Sequence, residues 1–241
     1  MKSIYRINGP VVKARGDTDI AMQSVVLVGD EKLIGEVIGV DGEEITIQVY
    51  ESTSGLKPGE PVLSTDKPLS VTLGPGIIGN IFDGIQRPLE NLYRQTGDFM
   101  ARGVDCENLD GEKKWHFTPC AAEGDIVGNL SFLGEVPETG SIIQKIMVPY
   151  GVIPKEQTAV IESIAAEGDY TLKDTVCRVK LWSGELKEIT MCHEWPVREP
   201  RPFAKRLSSD EPLITGQRVI DTLFPIARGG TASIPGSFGT G

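Results

Sequence analysis

Strand-length runs separated by turn residues dominate the first 68 residues of this 241-residue chain. Ile45, Ile47 and Val49 alternate with polar neighbours, which is the period of a strand with one buried face. The turn at 41–44 joins this run to the apolar run at 33–40 and predicts a hairpin. Further strands are predicted at 5–12 and 25–28. Five or six strands at this spacing predict a small closed barrel, which leaves no exposed sheet edge.

The charge balance is acidic and limits the classes of partner. The chain has 34 Asp and Glu against 24 Lys and Arg, a net charge of −10 and a pI near 4.8. Such a balance argues against nucleic acid and against an anionic bilayer as direct partners. No apolar run reaches the length of a membrane span, and residues 1–6 lack a signal-peptide core. We expect a soluble, cytoplasmic chain without direct membrane insertion.

The four cysteines, at 106, 120, 177 and 192, contain no C-x-x-C pair. A zinc site could combine His116 and Cys120 with Cys192 and His193, but adjacent Cys and His residues are poor ligands for one ion. Reduced thiols, mostly buried as small apolar groups, are the preferred interpretation.

Residues 69–110 contain a formal G-x-G-x-x-G at 74–79. A dinucleotide fold requires an uninterrupted crossover helix after this pattern, whereas Gly84 and Pro88 interrupt it and Pro75 lies inside the loop. We therefore reject the dinucleotide hypothesis and predict a turn followed by a short helix at 77–82. A second short helix is predicted to begin near Arg87.

Residues 111–190 are again predicted to be rich in β-structure, with turns at 123–125, 137–140 and 167–169. The run at 176–182 alternates as a strand does. Lys145 lies near a predicted hairpin of the kind that carries lipoyl or biotinyl lysines. Because the turn is predicted at 137–140, Lys145 falls inside a strand and is interpreted as an ordinary solvated lysine.

Residues 191–241 return to α/β character. An extended, proline-rich connector is predicted at 195–202. Thr215 is predicted as the N-cap of a helix. The apolar side chains at helical spacing in that helix are Val219, Ile220, Leu223 and Phe224. Pro225 ends the helix, and a short strand is predicted at 231–234.

The sequence ends in a glycine-rich segment composed of Gly236, Ser237, Phe238, Gly239, Thr240 and Gly241. These are the first six positions of the phosphate-binding loop G-x-x-x-x-G-K-[ST]. Backbone N–H groups of such a loop surround an anion, and glycine allows close approach to phosphate. The Lys and the Mg²⁺-binding Ser or Thr would follow Gly241. A flexible glycine-rich tail is the alternative.

Two longer stretches carry a family resemblance. Residues 212–221 with Phe224-Pro225 and Gly229-Gly230, together with 234–241, closely resemble the rotary ATPases. Within that superfamily, residues 195–202 and the long β-rich insertion resemble the catalytic A (alpha) subunits of archaeal and vacuolar-type ATP synthases. Residues 7–12 and 75–89 agree with this resemblance, which extends over essentially every segment of the chain.

The resemblance implies a mixed β and α/β fold in four parts. These are an N-terminal six-stranded β-barrel (1–68), the first part of a nucleotide-binding domain (69–110), a β-rich, barrel-sandwich-like bulge insertion (111–190), and a connector with the start of a RecA-like P-loop domain (191–241). It also implies that Gly236 to Gly241 bind the phosphates of ATP or ADP with Mg²⁺, whose ligand lies beyond Gly241.

The resemblance further implies an A3B3 hexamer with B subunits, central and peripheral stalk subunits, and a position at the cytoplasmic face of the membrane. ATP synthesis or hydrolysis is coupled there to proton or sodium transport. No catalytic residue is assigned within 1–241, and we expect the isolated chain to be inactive. A non-catalytic assembling fragment is the alternative; a termination helicase and a B subunit fit less well.

Some members of this family carry an intein just before the loop lysine. We hypothesise that the chain is an N-terminal extein or gene fragment that ends at such a junction. An arbitrary truncation is the alternative, and the downstream reading frame distinguishes the two.

Overall fold

The computed structural model describes residues 2–17, 19–99, 101–104, 106–203, 205 and 208–237. The chain divides into two units, one up to Glu199 and the other from Pro200 onward.

A closed, antiparallel barrel of six strands forms the first part of the larger unit. Its strands are β1 (Lys2–Asn8), β2 (Val11–Arg15), β3 (Ser24–Val28), β4 (Leu33–Asp41), β5 (Glu44–Val49) and β6 (Pro61–Pro68). They pair in the cyclic order β1-β2-β5-β4-β3-β6. The barrel and the β4–β5 hairpin predicted from sequence are therefore confirmed.

The alternating residues of these strands fill the barrel. Val12, Ala14, Ile45 and Ile47 are fully buried, while their strand neighbours are more exposed. Gly35 lies against this core, where a Cβ atom would come within 2.7 Å of Ile47 Cγ2. The narrow barrel interior thus requires a residue without a side chain beside a large branched one.

After the barrel the chain forms strand β7 (Ser70–Leu73), a turn-rich loop and helix α1 (Leu89–Thr96). Helix α1 confirms the helix predicted near Arg87. The helix predicted at 77–82 is wrong: these residues form turns, and Phe82 makes an isolated bridge to Pro88. Gly76 and Gly79 adopt left-handed conformations that are incompatible with a right-handed helix.

The β-rich region that follows forms two four-stranded sheets, β11-β10-β8-β13 and β15-β14-β12-β9. Their strands are β8 (Trp115–Pro119), β9 (Ile126–Val127), β10 (Phe132–Pro137), β11 (Ile143–Met147), β12 (Ala159–Ile164), β13 (Gly168–Tyr170), β14 (Thr175–Leu181) and β15 (Leu186–Thr190). Strand β16 (His193–Pro196) then pairs antiparallel with β7. The β-rich region is therefore inserted between two neighbouring strands.

Two sequence expectations in this region need correction. The turn predicted at 167–169 is instead the start of β13, because Gly168 and Asp169 pair with Phe117 and His116 of β8. Of the cysteines, Cys177 alone is buried among these four thiols, and Cys120 is exposed. A short loop-like sequence does not show that it will pair with a distant strand. An isolated cysteine likewise does not show whether neighbouring elements will bury it.

Lys145 lies within a strand, as predicted: it belongs to β11 and pairs with Glu135 of β10. Its ammonium group lies 4.8 Å from the centre of the Phe132 ring. The side chain is therefore held on the sheet surface by a cation–π contact, and the turn of the β10–β11 hairpin lies elsewhere.

The smaller unit contains β17 (Pro212–Leu213), α2 (Arg218–Leu223) and β18 (Ile226–Ala227). Strands β17 and β18 pair antiparallel on either side of the helix. The predicted helix is confirmed, but the residue at its N-cap is Gln217, not Thr215. None of the residues described in this unit is buried.

Candidate functional site

The glycine-rich segment is described only in part. Gly236 and Ser237 lie in exposed, irregular backbone. Phe238, Gly239, Thr240 and Gly241 lie outside the described residues, so the predicted phosphate site is not tested by the geometry.

The strand predicted at 231–234 is absent. These residues are irregular and exposed, and 77% of the surface of Ile234 is accessible. An extended segment becomes a strand only when a neighbouring strand accepts its backbone hydrogen bonds. The described part of this unit contains no strand paired with 231–234. These residues therefore do not form a strand despite their β-propensity.

Asp221 organises the turn that begins α2. Its Oδ1 accepts hydrogen bonds from the hydroxyl of Thr215 at 2.7 Å and from the Thr215 N–H at 3.0 Å, and its Oδ2 accepts one from the Gly216 N–H at 3.0 Å. These bonds from Thr215, with that from Gly216, lower the pKa of Asp221. Thr215 therefore precedes the helix and donates hydrogen bonds to the carboxylate of Asp221, which lies within the helix.

Asp221 was not singled out from sequence. The available signal was a Thr-Gly pair five to six residues before an acidic residue, whose carboxylate accepts from the N–H groups that precede the helix as the acidic residue of a capping box does. In the same unit, Glu211 Oε2 lies 3.3 Å from Arg228 Nη1, beside the β17–β18 pair.

In the larger unit, a buried carboxylate binds the segment that follows β16. Glu36 of β4 is 3% exposed, and its two oxygens accept hydrogen bonds from Arg198 Nε and Nη2 at 3.0 and 2.7 Å. Tyr50 donates a third bond at 2.6 Å. Burial alone would raise the pKa of Glu36, but the bonds from Arg198 and Tyr50 lower it. The barrel is thus joined to the segment after β16 by an ion pair between residues that are distant in sequence.

A second buried network joins the barrel to the loop before α1. Arg87 is 6% exposed and donates to Asp83 at 2.8 Å and to Glu51 at 2.9 Å. Gly103 donates its N–H to the other oxygen of Glu51 at 2.8 Å. A buried cation with two carboxylates fixes the loop geometry, because the loss of one partner leaves an uncompensated charge.

The rejected dinucleotide loop binds a protein carboxylate. Glu138, in the β10–β11 connection, accepts hydrogen bonds from the N–H groups of Gly76 at 2.8 Å and Ile78 at 3.0 Å. The loop therefore has the donors of an anion-binding turn, but it uses them to join the β-rich insertion to the segment after β7.

His116, considered in the zinc hypothesis, contacts two acidic side chains. Its Nδ1 lies 2.9 Å from Asp169 and its Nε2 lies 3.2 Å from Glu167. The hydrogen bonds to Asp169 and then to Glu167 raise the pKa of His116 above 6.5. This geometry favours an imidazolium that donates from both nitrogens.

Comparison with known proteins assigns the class. The model of the ATP synthase alpha/beta family β-barrel domain matches residues 4–66, and the alpha/beta subunit barrel-sandwich domain matches residues 106–198. The first range covers the closed barrel except for two residues at each end, and the second contains the two inserted sheets. The chain belongs to the ATP synthase alpha/beta family.

Within this family the chain is similar to the A subunits. It is 55% identical to the A subunit of the A-type ATP synthase of Methanopyrus kandleri over 238 residues, which are 99% of this chain and 39% of that protein. The corresponding protein of Pyrococcus horikoshii is 53% identical over 99% of this chain and 24% of its own length. The V-type ATP synthase alpha chain of a Thermoanaerobacter species is 49% identical, with coverages of 99% and 39%. The chain corresponds to the N-terminal portion of such a protein.

The chain spans less than half the length of the curated relatives that it matches. Among solved structures, it is similar to the type III secretion ATPase EscN of enteropathogenic E. coli, with 22% identity, a TM-score of 0.35, and coverage of 46% of this chain and 24% of that one. That similarity is too low to bear on function. Among the described residues, no helix has the length and apolar character required to cross a bilayer.

Proposed function

We propose that this chain is the scaffold portion of an A subunit whose complete form makes or hydrolyses ATP, coupled to proton or sodium transport. The observation that supports the proposal is 49–55% identity to the A-type and V-type relatives over 99% of the chain. Two family models match within the same chain, one over the barrel and one over the inserted sheets.

Gly236 to Gly241 would bind the phosphates of ATP or ADP through backbone N–H groups. Residues 231–237 contain no carboxylate, and their described backbone is exposed, so the chemistry of this segment fits an anion. Mg²⁺ bound with the nucleotide neutralises phosphate charge. The residues that hold the metal, polarise the phosphate and orient water would lie beyond Gly241, so no catalytic residue is assigned here.

The partners follow from the same proposal. B subunits would alternate with A subunits in an A3B3 hexamer and would contact central and peripheral stalk subunits. The complex would lie on the cytoplasmic face of the membrane as a peripheral part, and this chain would contact neither nucleic acid nor lipid directly.

The alternative is that residues 1–241 alone only assemble with partner subunits. The feature that favours it is the contrast between the buried cores of the first unit and the absence of any buried residue among those described from Pro200 onward. The intein hypothesis concerns the reading frame beyond Gly241 and stays a prediction.

The test is ATP hydrolysis by the full-length protein in a hexamer with B subunits. Gly239→Val should reduce hydrolysis by at least about a hundredfold, because a branched side chain prevents close approach of the backbone to phosphate. Purified 1–241 should show no turnover.

Gly140→Val is the matched control, because a Cβ atom at Gly140 meets nothing within 4 Å. This variant should retain hydrolysis within about twofold, since surface changes are usually near neutral. Full activity of Gly239→Val in a folded hexamer would contradict the role of the glycine-rich segment.

A further inference from the structure

The loop after β7 brings two backbone N–H groups to a single carboxylate oxygen. The Gly76 nitrogen lies 2.8 Å and the Ile78 nitrogen 3.0 Å from Oε1 of Glu138. N–H groups two positions apart that converge on one atom form a concave anion-binding turn, or nest. Gly76 has a φ of 104°, which glycine adopts without strain. We call residues 76–78 the nest loop.

The conformation of the nest loop is supported by contacts that do not involve Glu138. The side-chain amide of Asn80 donates to the Gly76 carbonyl at 2.5 Å, and the Asn80 N–H donates to the Ile77 carbonyl at 3.4 Å. The Ile77 side chain packs against the buried cluster that contains Trp115 and Phe117. We therefore expect the nest loop to keep its conformation when the carboxylate is absent.

The β10–β11 connection that carries Glu138 is also supported by its own hydrogen bonds. The N–H groups of Glu138 and Thr139 donate to the Ile142 carbonyl at 3.0 and 3.2 Å. The Thr139 hydroxyl oxygen accepts the N–H groups of Ser141 and Ile142 at 3.4 and 3.1 Å. The contact between the nest loop and Glu138 thus joins two turns that are each formed independently of it.

The charge of Glu138 is compensated mainly by the nest loop. Within the part of the chain that the structure describes, Glu138 forms no ion pair, and its carboxylate accepts hydrogen bonds only from Gly76 and Ile78. The residue is half-buried, so a small molecule from solvent can reach this position when the side chain is removed.

We propose that the nest loop is a carboxylate-binding site that the protein fills with its own Glu138. The β10–β11 connection is then a latch between the insertion and the segment after β7. A carboxylate on the same chain has a high effective concentration, so a free carboxylate does not displace it from the wild type. Without the Glu138 side chain, the two N–H groups lose their acceptor and bind a small carboxylate from solution.

The latch is tested by amide hydrogen exchange, followed by NMR, in the ¹⁵N-labelled 241-residue chain. In Glu138→Ala, exchange at Gly76 and Ile78 should be at least about tenfold faster than in the wild type, because each N–H loses a charge-assisted bond. Glu135→Ala is the matched control: Glu135 lies in β10 of the same hairpin, and its side chain makes no hydrogen bond to the described residues. It should change exchange by less than about twofold.

The binding site is tested by titration of Glu138→Ala with sodium formate. The Gly76 and Ile78 amide signals should shift downfield and saturate at roughly 0.1–1 M, since so small a ligand forms few contacts. Formate should also return exchange at both amides toward the wild-type rate. Sodium chloride at the same concentrations controls for ionic strength and should give no saturable shift. The wild type and Glu138→Gln, whose amide oxygen still accepts both N–H groups, should not respond to formate.

Unchanged exchange at Gly76 and Ile78 in Glu138→Ala would overturn the latch. Shifts that do not saturate, or that sodium chloride reproduces, would overturn the carboxylate site. Slow exchange in β1–β6 verifies that the variant is folded. Should Glu138→Ala not fold, Glu138→Gln decides: exchange at the two amides should be about two- to tenfold faster, because a neutral acceptor binds more weakly, and wild-type rates would overturn the proposal.

Discussion

The barrel and the terminal unit differ in whether they bury their apolar side chains. In the barrel, twelve apolar residues form one buried cluster, and six strands pair in a closed ring. In the unit from Pro200 onward, Leu223, Phe224 and Ile234 are each about 70% exposed or more, and none of the described residues is buried. The comparison teaches that the barrel completes its core within this chain, whereas the described residues of the terminal unit bury no apolar side chain that would stabilise it.

The largest expected effect is on proteolysis. Trypsin should cleave after Arg218 and Arg228 at least about a thousandfold faster than after Lys13 of β2, because local opening of the terminal unit requires little free energy and opening of a barrel strand approaches global unfolding. Mass spectrometry of timed digests measures the ratio. Similar cleavage rates in the two regions would show that the barrel and the terminal unit do not differ in local stability.

The next effect concerns the charged links of the larger unit. Arg87→Met should destabilise the chain by about 3–5 kcal/mol, because it leaves the buried carboxylates of Asp83 and Glu51 without their cation. Urea unfolding followed by fluorescence measures the change in the free energy of unfolding.

Arg94→Met is the control for this experiment. Arg94 and its partner Glu90 are each 70% exposed, and the loss of such a helix-surface pair should cost no more than about 0.5 kcal/mol. Equal losses for the two variants would show that the Arg87 network contributes no more than a surface pair.

A core substitution compares the two units directly. Ile47→Ala, at a fully buried barrel position, should cost about 2–5 kcal/mol through lost burial and an unfilled cavity. Ile234→Ala, at a position that is 77% exposed, should stay within about 0.5 kcal/mol. Thermal unfolding of the matched pair measures both, and an equal loss would mean that Ile234 packs against a core in the isolated chain.

The smallest expected effect is a pH dependence in the inserted sheets. The carboxylates of Asp169 and Glu167 raise the folded-state pKa of His116, so its contribution is fully present below about pH 6.5 and is lost as the pH rises through the folded-state pKa. His116→Gln should therefore reduce the loss of stability between about pH 6 and pH 9.

Urea unfolding midpoints at the two pH values measure this change. Glu188→Gln, which breaks an exposed pair with Arg178, should leave the pH dependence intact because it leaves the contacts of His116 unchanged. An unchanged pH dependence in His116→Gln would exclude the imidazolium as its source.

The sequence predicted those elements whose signal is local. Ile45, Ile47 and Val49 alternate with polar residues, and the turn at 41–44 indicates the hairpin that contains them. The barrel could therefore be predicted from the sequence. The prediction of a helix at 77–82 was wrong. The left-handed conformations of Gly76 and Gly79 and the hydrogen bonds to the distant Glu138 determine the conformation of that loop.

Prediction of the candidate sites was limited still more strongly, because these sites depend on contacts between residues distant in sequence. The ion pair between Glu36 and Arg198 joins residues 162 positions apart, and no sequence pattern indicates it. The strand at 231–234 has suitable residues but no neighbouring strand in the described part of its unit. The phosphate-binding role of the glycine-rich segment was predicted from its glycine spacing together with the family resemblance of residues 212–241, and it stays a prediction.

Amide hydrogen exchange at residues 231–237, with and without Mg-ADP, tests the central claim most directly. In the full-length protein, nucleotide should slow exchange at these amides by at least about tenfold, because the segment becomes ordered against phosphate. In isolated 1–241 it should change nothing, and β1–β6 should stay protected in both. Protection by nucleotide in the isolated chain, or no protection in the full-length protein, would contradict a self-sufficient barrel joined to a phosphate-binding segment that needs the rest of its domain.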